Sequence, residues 1–362
     1  MSRARSIAVT LCVSFALTGF ACSDDPDDGS ASGTTAASSA NATAVLEAVA
    51  DEVIIPSSGA LVASLEQLGD DIDALCAAPS ANALATARTS WQGVASAWRA
   101  TRPSGVGPAM DRRLAAAIGF QARDESIDEL LAGADPVDPG RLDAAGAAVK
   151  GISALEIGLF GAGSDTLADP GDPRRCEYLA SAAELAESAT AEVLADWTDG
   201  YRDTFVAGMD GEPQSSIDAL VNELIFRITE ADDQGLRALV EADGPDDLPA
   251  NRSDGPGAFH LAELRATVAG ATALLGTDVD DGRLLALVAA RSTDTTDRLS
   301  DAAATANAAM ADLPDSVTAG YDDPEALAAA QEAVAALKVL LATEVASELG
   351  VTISFSDADG DS

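Results

Sequence analysis

From Asn41 onward the apolar residues recur at intervals of three and four, the spacing that gives a helix one buried stripe. The stripe Val334, Leu337, Leu341 and Val345 is typical. Breakers divide this pattern into predicted helices at about 42–54 and 57–77 (split by Pro56), 80–101, 109–119, 141–160, 174–208, 215–241, 257–275, 281–312 and 323–348. Start signals agree: Ser80 follows Pro79, Ser215 precedes Asp218 by three, and Asp323-Pro324-Glu325 puts proline in a first turn. No period-2 strand, βαβ alternation or Gly-rich phosphate loop interrupts the series. The predicted class is therefore all-α. Long helices joined by short turns pack antiparallel, which gives two four-helix-bundle-like halves, 42–208 and 214–349. The boundary falls in Gly208-Met209-Asp210-Gly211-Glu212-Pro213, and residues 350–362 form an acidic tail.

Composition sharpens this picture. The 362 residues are 47% hydrophobic but only 4% aromatic, so alanine, leucine and valine must do most of the burying, which favours close-packed helices. Lys+Arg 21 against Asp+Glu 60 gives a net charge of −39. Such a surface repels phosphate backbones and anionic headgroups, so no nucleic-acid partner is expected.

Residues 1–21 carry a basic start (Arg3, Arg5) and an apolar run from Ile7 to Phe20, too short to span a membrane: an export signal. Ala21-Cys22 followed by Ser23-Asp24-Asp25 is where a bacterial lipoprotein is cleaved and lipidated, with Cys22 as the anchor; ordinary secretion is the alternative. The chain is then expected in the cell envelope, in the outer membrane or periplasm or on the cell surface. Residues 22–41 read as a flexible tether of Ser, Thr, Ala, Asp and Gly. Cys76 and Cys176 are the only cysteines of the folded body. Outside the cytoplasm they read as a structural disulfide, with two buried thiols as the alternative.

A single histidine, His260, removes most histidine chemistry: no zinc helix, no multi-histidine metal site, no Cys-His pair. Its surroundings read as the start of a helix. More informative is Val149-Lys150-Gly151-Ile152-Ser153-Ala154-Leu155-Glu156-Ile157-Gly158-Leu159-Phe160. On a helix Val149, Ser153, Glu156 and Phe160 share one face, so the Glu156 carboxylate sits in an apolar stripe, a costly place unless an arginine, a metal or a donor network meets it. Two readings stay open: a structural partner of Arg112 or Arg113, or a ligand or metal pocket. Two acidic runs, Asp278–Gly282 and Asp357–Asp361, resemble calcium-loop fragments, lack the closing Glu, and read as solvated turns.

The run Gly151 to Gly161 resembles the Gly-x-His-x-x-Glu helix of imelysin-like proteins. Three further stretches agree in order: Ala87 to Trp98 with Gly107-Pro108-Ala109-Met110-Asp111-Arg112-Arg113, Arg175-Cys176-Glu177-Tyr178 through Trp197, and Phe355 with Asp357, Asp359, Gly360 and Asp361. This resemblance implies two bundle-like halves with an interdomain pocket, an exported or surface-anchored protein, a link to iron uptake, and for some members metallopeptidase activity. Glu156 carries over; the family's histidine is Ser153 here. The implied site is an oxygen-rich pocket of Glu156, Ser153 and Asp111 with Arg112, suited to a polar ligand or a hard divalent or ferric cation on Glu156. Arg252 and Ser253 in Asn251–Gly255 resemble the polar loop that faces this pocket from the second half. The expected partners are the membrane, through the lipid, and metal-uptake proteins. The leading function is a ligand- or cation-binding lipoprotein of metal acquisition, with a metallopeptidase and a non-catalytic interaction scaffold as alternatives.

Overall fold

The computed structural model describes residues 41–168, 172–248 and 255–353, and among them every regular element is helical. The expectations for the export signal, for Cys22 and its tether, for Arg252 and Ser253, and for the acidic ending lie outside these residues. Nine helices carry the architecture: α1 (Asn41–Ala77), α2 (Ala81–Thr101), α3 (Asp124–Ala132), α4 (Ile152–Phe160), α5 (Pro173–Asp196), α6 (Pro213–Thr229), α7 (His260–Leu275), α8 (Thr293–Ala311) and α9 (Pro324–Leu340).

Pro56 does not split α1. A π-helical turn at Ala50–Ile54 lies just before it. A proline ring collides with the carbonyl four residues back in a regular helix, and the wider turn gives that ring room. Elsewhere the breaks come from backbone conformation. Arg113 takes a left-handed φ of 55° and divides the expected 109–119 helix into Pro108–Asp111 and Leu114–Ile118. Gly146 (φ 94°) and Gly151 (φ 88°) cut 141–160 into Pro139–Ala145, a 3-10 turn and α4. Ser292, whose Oγ accepts from Thr295 N at 3.2 Å, starts α8 inside the expected 281–312 helix. Helix α3 has no counterpart among the expected elements.

Helices α1, α2 and α5 pack side by side with α4 across α2 and α5, while α6, α7, α8 and α9 pack with one another. The pairing of α2 with α7 joins the two sets, and residues 39–362 form one compact unit around a continuous core from Val45 to Val351. The α2–α7 approach is close because Gly270 faces the backbone: a Cβ there would lie 2.1 Å from the Ala100 carbonyl oxygen. The few aromatics are spent inside, with Trp91, Trp197, Tyr178 and Phe205 among the largest buried side chains. Cys76 at the end of α1 is disulfide-bonded to Cys176 in the first turn of α5, 100 residues apart. In the chain-entropy account, closing a loop of that length stabilises by about 4.7 kcal/mol.

Candidate functional site

Glu156 points from the middle of α4 toward the turn that precedes α7. Its Oε1 accepts the backbone N–H of Gly257 at 2.9 Å. The turn is laid against the carboxylate so tightly that only glycine fits: a Cβ on Gly255 would come to 2.3 Å from Glu156 Oε1, and one on Gly257 to 3.0 Å. Trp91 of α2 backs this contact. Its Nε1 donates to the Ile152 carbonyl at 2.9 Å, fixing the start of α4, and its ring meets Phe160 and Phe259 edge-on at 5.2 and 6.2 Å. Ser153, one turn before Glu156, accepts the Ala122 N–H at 3.2 Å. The glycines flanking Glu156 serve packing: Gly151 lies against the Ile118 backbone and Gly158 against Leu179.

These groups line one side of a cavity of about 290 Å³. Across it stand Arg99 of α2, Arg102 in the 3-10 turn that follows it (Arg102–Ser104), Arg227 of α6, Glu230 at the start of a π-helical turn (Glu230–Leu236), and His260 and Glu263 at the start of α7. Arg99 bonds Glu263 at 3.2 Å, and His260 Nδ1 lies 3.6 Å from the same carboxylate. Glu230 is shared by Arg102 at 3.3 Å and Arg227 at 2.9 Å, and Arg227 also holds Glu223 at 2.7 Å. Burial pushes the Glu263 carboxyl up, but Arg99 and His260 outweigh it and hold it at about 2. Arg102 is brought down to about 10, first by burial and then by the guanidinium of Arg227. Three buried nitrogens around the cavity, Arg99 Nε, Arg102 Nε and His260 Nε2, have no hydrogen-bond partner among the described residues.

Of the expected site residues, Glu156 and Ser153 meet in this cavity. Asp111 and Arg112 do not. Both are exposed, and Arg112 is held on the outside by Glu192 and Asp196, one turn apart on α5, with its Nη2 at 3.0 Å from Asp196 Oδ1. Arg113 is exposed too. Glu156 is met instead by the Gly257 N–H, and Arg99, whose guanidinium is held charged against burial chiefly by Glu263, feels the Glu156 carboxylate only weakly across the cavity. Arg99, Arg102 and Glu263 are missing from the sequence-based set, although positions 91, 95, 98 and 102 trace one helical face, so Arg102 falls on the stripe of the two tryptophans. His260 begins α7, as its neighbours suggest.

For a transition metal the fit is poor. A hydroxyl stands where an imidazole is needed, Ser153 and Glu156 both accept backbone N–H bonds, and among the described residues no three His, Cys, Asp or Glu side chains are grouped to hold an ion. The lining instead mixes guanidiniums, carboxylates and aromatic walls, which suits a small polar molecule.

The order of helices, the Glu156 helix and the cavity beside it define a class of protein. The sequence profile of the Imelysin family matches residues 54–343, and the chain belongs to that family. Two solved structures share the fold at 18% identity each. One is an imelysin-like protein from Psychrobacter arcticum (TM-score 0.67, covering 88% of this chain and 98% of that one). The other is described as an iron-regulated protein A precursor from Parabacteroides distasonis (TM-score 0.73, 86% and 95%). Comparison with curated proteins finds no match.

Proposed function

We propose that this chain is an exported, lipid-anchored member of the imelysin family that holds a small ligand in the cleft beside Glu156 and serves metal acquisition. The observation that carries the reading is the meeting of Glu156 with Gly257 across the chain, at the edge of a cavity where the buried Nε of Arg99 and of Arg102 has no partner among the described residues. A carboxylate seated on a backbone N–H fixes the 255–257 turn. The aromatic wall of Trp91, Phe160 and Phe259 keeps water from that side, and the guanidiniums opposite present charge to the ligand. The name of the Parabacteroides distasonis structure supports the link to iron. The export pattern before Cys22 supports an envelope location, the lipid holding an otherwise acidic protein at the membrane. A cavity of about 290 Å³ is at the small end of ligand pockets, which favours a metabolite-sized guest over a peptide chain.

Native mass spectrometry of the protein isolated from the envelope tests this. A non-covalent adduct of metabolite size is expected on the wild-type chain and is lost in Glu156→Gln, which keeps an acceptor for Gly257. A wild-type protein free of any adduct, or a variant that retains it, contradicts the reading. The intact mass also reports whether the mature chain begins at a lipid-bearing Cys22.

A further inference from the structure

Among the described residues the cleft holds three guanidiniums within a chain of net charge −39, and the side chains of Arg99, Arg102 and Arg227 are only 29%, 14% and 13% exposed. Each guanidinium has five N–H donors in a fixed fork. Arg99 gives one to Glu263; Arg102 and Arg227 share Glu230, and Arg227 adds Glu223. The carboxylates present leave donors over, and the Nε of both Arg99 and Arg102 is buried without a partner. A buried donor without an acceptor has lost its hydration and gained nothing in return. That cost falls on the wall of a cavity, where a guest supplying oxygen acceptors would offset it. The carboxylates that pair with the guanidiniums, Glu230 and Glu263, each have several acceptor positions and favour a guest that also carries hydroxyl donors.

We infer that the Arg99, Arg102 and Arg227 side of the cleft is an oxyanion subsite for a small hydroxycarboxylate, which enters free or already wrapped around a ferric ion. The inference rests on the cleft being a ligand site and names the ligand's chemistry. It also resolves the poor fit to a bare cation: the chelator brings the metal's oxygen ligands, and the protein grips the chelator's outer carboxylates. Arginine suits this grip because its planar fork matches a carboxylate in two bonds at once.

Calorimetric titration of the purified protein with citrate, with ferric citrate, and with ferric, zinc and calcium chlorides tests the assignment. Citrate in one form or both binds one per chain, Arg99→Gln and Arg227→Gln each weaken it at least tenfold, and Arg102→Lys, which keeps charge but loses the fork, weakens it several-fold. Ferric citrate binding tenfold tighter than citrate identifies the chelate as the guest; equal affinity identifies the free acid; both support the subsite. Absence of binding by either citrate form overturns it, as does unchanged affinity in both glutamine variants. Should a bare cation bind, with loss on Glu156→Gln, while citrate does not, the oxyanion subsite falls and the Glu156 cleft stands. Should no probe bind and the native adduct be absent, both fall. Protection of Arg99 from phenylglyoxal by citrate in the wild-type chain gives the same answer without depending on a variant's folding: protection supports the subsite, and equal modification with and without citrate overturns it.

Discussion

One π-helical turn, Glu230–Leu236, carries a buried carboxylate, Asp232, and a half-buried one, Glu230, that face opposite environments. Asp232 is fully buried and saturated: Gln331 donates to its Oδ1 at 2.8 Å, Arg237 to its Oδ2 at 3.0 Å, and Lys338 adds a direct ion pair. Burial pushes its carboxyl up, but these three partners hold it below the usual carboxylate range. Glu230, two residues earlier, looks into the cleft, where the Nε of Arg99 and of Arg102 is without a partner among the described residues and a cavity remains. A buried carboxylate met by three donors and away from the cavity pins elements together, here the π turn to α9. A cluster with surplus donors beside empty volume is built to receive something. Both were assembled from the same residue types, so satisfaction and space, not charge content, separate a structural lock from a binding site.

Substitutions sharpen that contrast. Asp232→Ala removes the buried carboxylate shared by Gln331, Arg237 and Lys338, leaving Lys338 only Asp233, and is expected to cost about 3 kcal/mol in urea unfolding, with citrate affinity unchanged while the chain remains folded. Glu263→Gln leaves Arg99 a weaker partner and is expected to cost about 2 kcal/mol. It also alters the acid limb of the stability profile. The Glu263 carboxyl lies lower in the folded chain, about 2, than its unfolded value near 4.3, so its contribution is complete above that unfolded value and fades as pH falls toward 2. Unfolding followed by circular dichroism between pH 5 and 2 should show a shallower loss in the variant; an unchanged slope would remove Glu263 from the account. Gly257→Ala forces a methyl against Glu156 and the Trp91 ring, at 3.0 and 2.9 Å, and is expected to cost about 1 kcal/mol while sharply weakening the cleft ligand. Arg112→Ala, at the exposed group once expected in the pocket, should shift neither melting temperature nor binding.

Much of the helical layout was legible in the chain because a 3.6-residue apolar period is a direct imprint of burial on one face. What escaped were backbone events. The π turn before Pro56 and the left-handed φ of Arg113 leave the apolar spacing almost untouched, and α3 is too short for its period to stand out. In the site, Glu156 was legible because a carboxylate interrupts an apolar run. Arg112 misled because sequence neighbourhood to the Gly-Pro turn says nothing of the two acids on α5 that draw it outward. Arg99 and Arg102 were hidden differently: an arginine on an amphipathic helix usually snorkels to solvent, and here the packing of α7 against α2, and of α6 and α7 against the turn at Arg102, closes them in.

The sharpest single test follows the arginine side chains themselves. In nitrogen-edited NMR spectra of the Nε–H groups, added citrate should shift Arg99 and Arg102 together and leave Arg237, locked on Asp232, where it was. Spectra that do not move, or that move Arg237 and the exposed Arg112 as much as the cleft pair, would contradict the distinction between the two clusters and with it the binding role of the cleft.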